Sequence, residues 1–173
     1  YGAKVLGGCC GTTPAYVAKL KEMVATVNAS VVKKKPRQLA VCTPLKTVVV
    51  DQPRIVGERI NPTGKKRFKQ ALRDNDMNYI LSQAIEQIDA GADILDVNVG
   101  SPDIDEKEMM VRVIKALQAI VDVPLQIDST KPEVLEAALR VYNGKPIVNS
   151  VNGEEEVLDT ILPIVAKYGG AVI

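Results

Sequence analysis

Histidine is absent from this chain of 173 residues, and its absence limits the chemistry that the protein can perform. Any metal site has to be built from cysteine, aspartate or glutamate, because no imidazole is available as a ligand. Proton transfer near neutral pH has to come from a carboxyl group, a held water or the substrate itself. The functional candidates are therefore thiols, carboxylates and carboxamides.

Long apolar runs and an excess of charge of one sign are also missing. No stretch stays apolar over the roughly 20 residues that cross a bilayer, and Tyr1 is followed by no signal-peptide pattern. Lys and Arg number 22 against 21 Asp and Glu, so no broad field attracts nucleic acid or an anionic membrane. We expect a cytoplasmic protein that has neither kind of partner.

The second feature is a regular alternation of short apolar strands and amphipathic helices from Arg54 onward. This pattern predicts a parallel βα array with right-handed crossovers, and the core-facing helix positions include Ile85 and Ile120. The chain is too short for eight strand–helix units, so the expected fold is α/β, a partial parallel TIM-type barrel. A doubly wound sheet is the alternative, but no Gly-x-Gly-x-x-Gly follows a strand. The predicted strands are 55–56, 94–98, 125–128, 146–149 and 171–173, and the helices are 77–90, 106–120, 132–144 and 155–168.

Two adjacent thiols, Cys9 and Cys10, lie in the run Gly-Gly-Cys-Cys-Gly-Thr-Thr-Pro at 7–14. Residues 3–6 are typical of the end of a buried strand, and Pro14 begins an amphipathic helix. Adjacent cysteines do not readily form a disulfide, whereas two thiolates and a third ligand would hold zinc with one position open. The alternative is that both are small buried residues packed under the turn.

This run resembles the terminal signature of the zinc-dependent homocysteine S-methyltransferase family, in which three cysteines bind zinc. The resemblance covers residues 1–30 and implies that Cys9 and Cys10 are zinc ligands at the end of a last barrel strand. The family's first zinc cysteine lies upstream of the pair and has no counterpart here. Cys42 falls where that family has no ligand.

Polar side chains come at the carboxyl ends of four successive predicted strands. In a barrel such positions converge on one cavity, and carboxylates with carboxamides suit a neutral heterocycle that is rich in N–H donors. Helix capping or loop hydrogen bonding is the alternative, above all for Ser129, Thr130 and Ser150. The candidate cavity residues are Glu58, Asp96, Asn98, Asp128 and Asn149.

Four motifs resemble, in order, the signatures of the pterin-binding methyltransferase family. They are Gly-Glu-Arg-Ile-Asn-Pro-Thr-Gly at 57–64, Gly-Ala-Asp-Ile-Leu-Asp-Val-Asn-Val-Gly at 91–100, Ile-Asp-Ser-Thr at 127–130 and Val-Asn-Ser-Val-Asn-Gly-Glu at 148–154. The resemblance implies that Asp128 and Asn149 hydrogen-bond the pterin edge. It also implies that Glu58, Asp96 and Asn98 line the floor of the cavity and that Asn61 is a further pterin-binding residue.

The two resemblances together divide the chain into three parts. Residues 1–30 correspond to the end of a homocysteine-binding barrel, 31–53 to an interdomain linker with a basic stretch at 33–37 and a hairpin around Pro44, and 54–173 to the N-terminal half of a pterin-binding barrel. This order resembles the two-barrel module of the cobalamin-dependent methionine synthases.

That resemblance implies a methyltransferase that moves a methyl group from methyltetrahydrofolate through a corrinoid to homocysteine, giving methionine. It implies zinc, and cobalamin held by a domain outside this chain. In the family, the residue that reaches the methyl-bearing nitrogen lies on a later strand, so this chain alone is expected to be inactive. The alternatives are a stand-alone methyltetrahydrofolate:corrinoid protein methyltransferase, a dihydropteroate synthase-like enzyme and an inactive binding fragment.

Overall fold

The computed structural model describes residues 5–27 and 38–173, and the chain divides into two units between residues 37 and 38. In the first unit, helix α1 (Pro14–Ala25) begins where Pro14 predicts it, and the Thr13 hydroxyl accepts a 3.3 Å hydrogen bond from the Tyr16 N–H. No residue of α1 is buried. Val5 and Leu6 lie in no strand. The rest of the strand predicted over 3–6 and the basic stretch at 33–37 lie outside the described residues.

The second unit contains an antiparallel hairpin followed by a five-stranded sheet with its helices. The hairpin consists of β1 (Ala40–Cys42) and β2 (Thr47–Val49). The strands of the sheet are β3 (Val56–Ile60), β4 (Ile94–Val97), β5 (Leu125–Asp128), β6 (Ile147–Asn149) and β7 (Ala171–Val172). The helices are α2 (Lys66–Asp74), α3 (Met77–Asp89), α4 (Glu106–Ile120), α5 (Pro132–Val141) and α6 (Glu155–Tyr168).

The five strands lie in sequential order, β3-β4-β5-β6-β7, and every neighbouring pair is parallel. This order confirms the α/β fold with a parallel, barrel-type sheet. Short βα connections with right-handed crossovers put each new strand beside the previous one. A doubly wound sheet would have a later strand inserted between earlier ones, and none is inserted here.

The helices cover one face of the sheet. Leu95, Val97, Ile127 and Val148 point to that side and join the main hydrophobic core with the buried residues of the helices. Because side chains alternate along a strand, the intervening residues point to the opposite side. We call this side the open face; it bears Asp96 on β4, Gln126 and Asp128 on β5, and Asn149 on β6.

The hairpin packs against the amino-terminal part of the sheet. Val41 and Val48 form a second, small core with Ile94, and Ile147 and Ala171 pack against it. Cys42 and Lys145 exchange two backbone hydrogen bonds of 3.0 and 2.9 Å.

Tyr142 ties the hairpin to β5. Its hydroxyl donates to the Cys42 carbonyl at 3.0 Å and accepts from the Leu125 N–H at 3.3 Å. Burial raises the pKa of this phenol to about 12. The hairpin therefore belongs structurally to the second unit, where it closes the amino-terminal end of the sheet.

Three local features differ from the sequence-based expectations. Helix α2 was not predicted, because its segment is mostly charged and buries only Phe68, Ala71 and Leu72. The inward positions assigned to Ile85 and Ile120 are wrong, since these side chains are 46% and 49% exposed. Ile85 follows the buried stripe of α3 by one residue, and Ile120 is the last residue of α4.

No helix within 5–27 or 38–173 has both the length and the apolar character of a bilayer-crossing segment.

Candidate functional site

The polar residues of the open face form two neighbouring hydrogen-bonded groups on three adjacent strands, which together we call the network. The parallel register places Asp96 beside Gln126 and Asp128 beside Asn149. Asp96 Oδ1 accepts from Gln126 Nε2 at 2.5 Å and from Asn149 Nδ2 at 3.3 Å. Asn98 Nδ2 donates to Asp128 Oδ2 at 2.9 Å. The structure thus brings four of the predicted site residues together.

Asp96 is the most buried acid of this network, with 2% of its surface exposed. Burial raises the pKa of its carboxyl group, the hydrogen bond from Gln126 opposes that rise, and the charges of Asp128 and Glu58 add to it. In the described part of the chain no group hydrogen-bonds Asp96 Oδ2. This oxygen is therefore free to accept a hydrogen bond from a ligand.

Asn98 fixes the position of Asp128. Its side-chain oxygen accepts a 2.8 Å hydrogen bond from the Gly100 N–H, which orients the amide group. The amide nitrogen is then directed at Asp128 Oδ2, as described above. Asp128 Oδ1 has no hydrogen-bond partner among residues 38–173, so it offers a second free acceptor.

Glu58 and Asn61 are placed differently from the other four. Glu58 was expected at the carboxyl end of a strand, and this is wrong, because β3 continues to Ile60. Its side chain is 59% exposed and pairs with Lys65 Nζ at 3.0 Å. Asn61 follows β3, is buried, and accepts from the Thr63 N–H at 2.8 Å. Within the described residues neither one hydrogen-bonds to the Asp96 network.

Gln126 is the network residue that sequence reasoning missed. It lies inside a strand, where an apolar interior residue is expected, so its amide was not counted among the polar strand ends. The available signal was its spacing of two residues from Asp128, which places both on the same face.

The loop interpretation suits Ser129 better than a role in the cavity. Its hydroxyl donates to Glu106 Oε1 at 2.6 Å and accepts from the Lys131 N–H at 3.2 Å. Lys131 Nζ pairs with the other oxygen of Glu106 at 2.9 Å. These contacts tie the loop after β5 to the start of α4, so Ser129 stabilises the loop that follows Asp128.

The two adjacent thiols lie in the first unit. Cys9 and Cys10 are both exposed, so the alternative that they are small residues buried under the turn is wrong. Their sulfur atoms lie 3.7 Å apart. Two thiolates on one tetrahedral zinc ion, each at about 2.3 Å, would be separated by about 3.8 Å. The pair thus fits two positions of a zinc site.

Hydrogen bonding to the Cys10 backbone and thiol lowers the pKa of the Cys9 thiol. This favours the thiolate form that binds zinc. Residues 5–27 and 38–173 contain no cluster of three possible metal ligands. The described residues therefore hold two candidate zinc ligands, Cys9 and Cys10, and no complete metal site.

Zinc is expected to bind this 173-residue chain weakly, because two thiolates do not complete a high-affinity site. Metal analysis after purification should find substoichiometric zinc that a chelator removes readily. The Cys9→Ser, Cys10→Ser double variant is the control and should retain none. Stoichiometric, chelator-resistant zinc in the unmodified chain would instead reveal a third ligand.

Comparisons with known proteins bear on the family. The family model described as pterin binding enzyme matches residues 57–173. Methionine synthase from Mycobacterium tuberculosis is 31% identical over 180 aligned positions, and that from Mycobacterium leprae is 30% identical over 185. Both alignments cover all of this chain, which spans 15% of the length of each relative.

Solved structures with a similar fold include dihydropteroate synthases. The enzyme from Thermus thermophilus is 27% identical, with a TM-score of 0.52 over 78% of this chain and 47% of its own. A Xanthomonas albilineans enzyme solved with 4-aminobenzoic acid gives a TM-score of 0.57 over 77% of this chain and 48% of its own, at 24% identity. The motifs, the sequential parallel sheet and the match to residues 57–173 agree, and the chain belongs to the pterin binding enzyme family.

Proposed function

We propose that the open face binds the pterin ring of methyltetrahydrofolate and that the protein is a methyltransferase of the methionine synthase type. The observation that carries this proposal is the strand register that places Asp128 beside Asn149, whose amide nitrogen donates to the buried carboxylate of Asp96. The proposed reaction moves the methyl group through a corrinoid to homocysteine in the cytoplasm. The matches of the whole of this chain to 15% of the length of two methionine synthases support it.

Binding and orientation are the tasks that the described residues can perform. Asp96 Oδ2 and Asp128 Oδ1 present free acceptors to ring N–H and amino groups, and a carboxylate that accepts such donors makes a charge-assisted hydrogen bond. The amide oxygen of Asn149 accepts no hydrogen bond from residues 38–173, while its nitrogen donates to Asp96. The acceptors are thus fixed before the ligand arrives, which reduces the entropy lost on binding.

Zinc at Cys9 and Cys10, completed by a third ligand, would hold the homocysteine thiol as a thiolate and so make it nucleophilic at neutral pH. The sulfur spacing of 3.7 Å and the lowered pKa of Cys9 support this role for the pair. Cobalamin would be held outside this chain.

A second candidate is a pterin enzyme of the dihydropteroate synthase type. The 27% identity to the Thermus thermophilus enzyme favours it. Two measurements on the intact protein distinguish the two candidates. One is a titration with methyltetrahydrofolate, and the other is an assay for turnover of 4-aminobenzoate in the presence of a pterin pyrophosphate. Binding of methyltetrahydrofolate with no turnover of 4-aminobenzoate supports the methyltransferase, and turnover supports the second candidate.

Replacing Asp128 by Asn should weaken binding of methyltetrahydrofolate by the intact protein about ten- to a hundredfold, or about 1.5–3 kcal/mol. The substitution keeps the shape but removes the charge and can turn a donor toward the pterin N–H groups. Titration calorimetry measures the change, and binding of homocysteine should be unaffected. Asp159→Asn, on the exposed side of α6, is the matched control.

Unchanged affinity in the Asp128→Asn variant would show that the open face is not the pterin site. Failure of the unmodified protein to bind methyltetrahydrofolate would refute the proposed function itself.

A further inference from the structure

Gln126 combines two features that a residue serving only to fill the sheet would not need. Its amide nitrogen donates to Asp96 Oδ1 at 2.5 Å, the shortest hydrogen bond to that carboxylate. The residue is only 7% exposed, and its buried amide oxygen has no hydrogen-bond partner among residues 38–173. A buried amide oxygen without a partner is unfavourable, and an apolar side chain of similar size would avoid that penalty. The gain has to lie in what the nitrogen does for Asp96.

The nitrogen determines which oxygen of Asp96 is available. Gln126 and Asn149 both donate to Oδ1, and the Asn149 contact is the longer one at 3.3 Å. Without Gln126, one long hydrogen bond would hold the carboxylate, which could then rotate about its Cβ–Cγ bond. With it, both amide nitrogens bond Oδ1, and Oδ2 is the oxygen that remains for a ligand.

Gln126 also affects the charge of Asp96. Burial raises the pKa of this carboxyl group, and the nearby charges of Asp128 and Glu58 raise it further. The groups that face Asp96 and favour the ionised form are the two amide donors Gln126 and Asn149, and Gln126 has the larger effect. Loss of its donor would therefore make the protonated, neutral carboxyl group more favourable.

We propose that Gln126 is a positioning residue of the pterin site, whose amide nitrogen holds Asp96 Oδ1 so that Oδ2 accepts from the N–H donors of the ligand. This inference rests on the proposed function of the open face. Gln126 itself does not touch the ligand, because its unpaired oxygen is a fully buried atom, whereas Asp96 Oδ2 is not among the fully buried unpaired atoms of the described residues. Its effect on binding passes entirely through Asp96.

The test is a titration of the intact Gln126→Leu protein with methyltetrahydrofolate between pH 8 and pH 6. Leucine keeps much of the volume and removes the donor, so the affinity should fall roughly tenfold at pH 7.5. The loss should grow as the pH falls, because Asp96 becomes protonated more easily and a protonated oxygen is a poor acceptor. The unmodified protein should show a flatter profile.

A Gln126→Glu variant makes the readout sharper because its expected pH trend is opposite. At pH 8 the introduced carboxylate repels Asp96 and binding is weak. As the pH falls, a proton shared by the two carboxyl groups restores a donor to Asp96 Oδ1, and the affinity should recover in part. A role confined to packing predicts no such reversal.

Gln118→Leu is the matched control for folding. Gln118 bridges the ends of α4 and α5, donating to the Val141 carbonyl at 3.0 Å and accepting from the Asn143 N–H at 2.6 Å. Its loss should lower stability without changing the pH profile of binding. If either Gln126 variant fails to fold, the other still tests the proposal.

Affinities and pH profiles of the folded Gln126 variants that equal those of the unmodified protein would overturn this inference and leave the pterin site in place. An unmodified protein that does not bind methyltetrahydrofolate would overturn the proposed function and this inference with it.

Discussion

Replacing Gly144 by alanine is expected to lower the free energy of unfolding of the 38–173 unit by about 2–5 kcal/mol. Gly144 has a φ of +138°, a conformation that L residues rarely adopt. A Cβ at this position would lie 2.2 Å from the Cys42 carbonyl oxygen and 3.1 Å from Thr43 Cα. Both neighbours are backbone atoms, so the hairpin would have to move away from the sheet.

The loss has a structural consequence that can be measured separately. Movement of the hairpin breaks the paired hydrogen bonds between Cys42 and Lys145 and the contact from the Tyr142 hydroxyl. Urea unfolding gives the stability, and hydrogen exchange at the Cys42 N–H reports the local opening.

Gly91→Ala is the control, because Gly91 also has a positive φ, +97°, but no atom lies within 4 Å of its would-be Cβ. Only backbone strain of about 1–2 kcal/mol is expected there. Equal losses in the two variants would show that the hairpin does not approach Gly144 closely.

The repeating part of the fold could be predicted because its signals are local and strong. Helix α4 carries an unambiguous helical pattern over 15 residues, and sequential βα units permit few topologies. Helix α2 lacks such a pattern, since its charged residues outnumber the three apolar ones that it buries. The contact of Gly144 with Cys42 joins positions far apart in the chain, and no local pattern encodes it.

The candidate site could be predicted where it depends on strand register. Asp128 and Asn149 each end a strand in the same phase, so neighbouring strands bring them together. The role of Gln126 depends on which acceptor on β4 its amide nitrogen reaches, and side-chain packing determines that acceptor. The predicted position of Glu58 at a strand end was wrong for a related reason. The end of β3 depends on how it pairs with β4, and the register of this pair shifts between Gly57 and Ile60.

Asp96→Asn is expected to change stability and binding in opposite directions. The Asp96 carboxylate is almost fully buried near two other acids, and burial raises its pKa above the ordinary value of 3.8. Both of its hydrogen-bond donors use Oδ1, so an asparagine that keeps its oxygen there retains both contacts. The variant loses the unfavourable buried charge and gains one unpaired amide nitrogen, which costs less than a charge, so its free energy of unfolding at pH 7 should exceed that of the unmodified protein.

The pH dependence gives the sign of this effect. A carboxyl group whose pKa is raised in the folded state destabilises the fold increasingly as the pH rises from its unfolded pKa through its folded pKa. Below the unfolded value the group is neutral in both states, and the penalty vanishes. The stability advantage of Asp96→Asn should therefore be larger at pH 7 than at pH 5 and shrink to nothing near pH 3, as measured by urea unfolding across that range.

Affinity for methyltetrahydrofolate should fall roughly a hundredfold or more, or about 3 kcal/mol or more, in the same Asp96→Asn protein. The amide group that replaces Oδ2 is a donor and faces the N–H donors of the pterin, so a buried charge-assisted bond is replaced by a repulsive contact. Asp159→Asn should change neither quantity, because its side chain is exposed on α6. A variant that became less stable and kept its affinity would show that Asp96 serves folding and not the ligand.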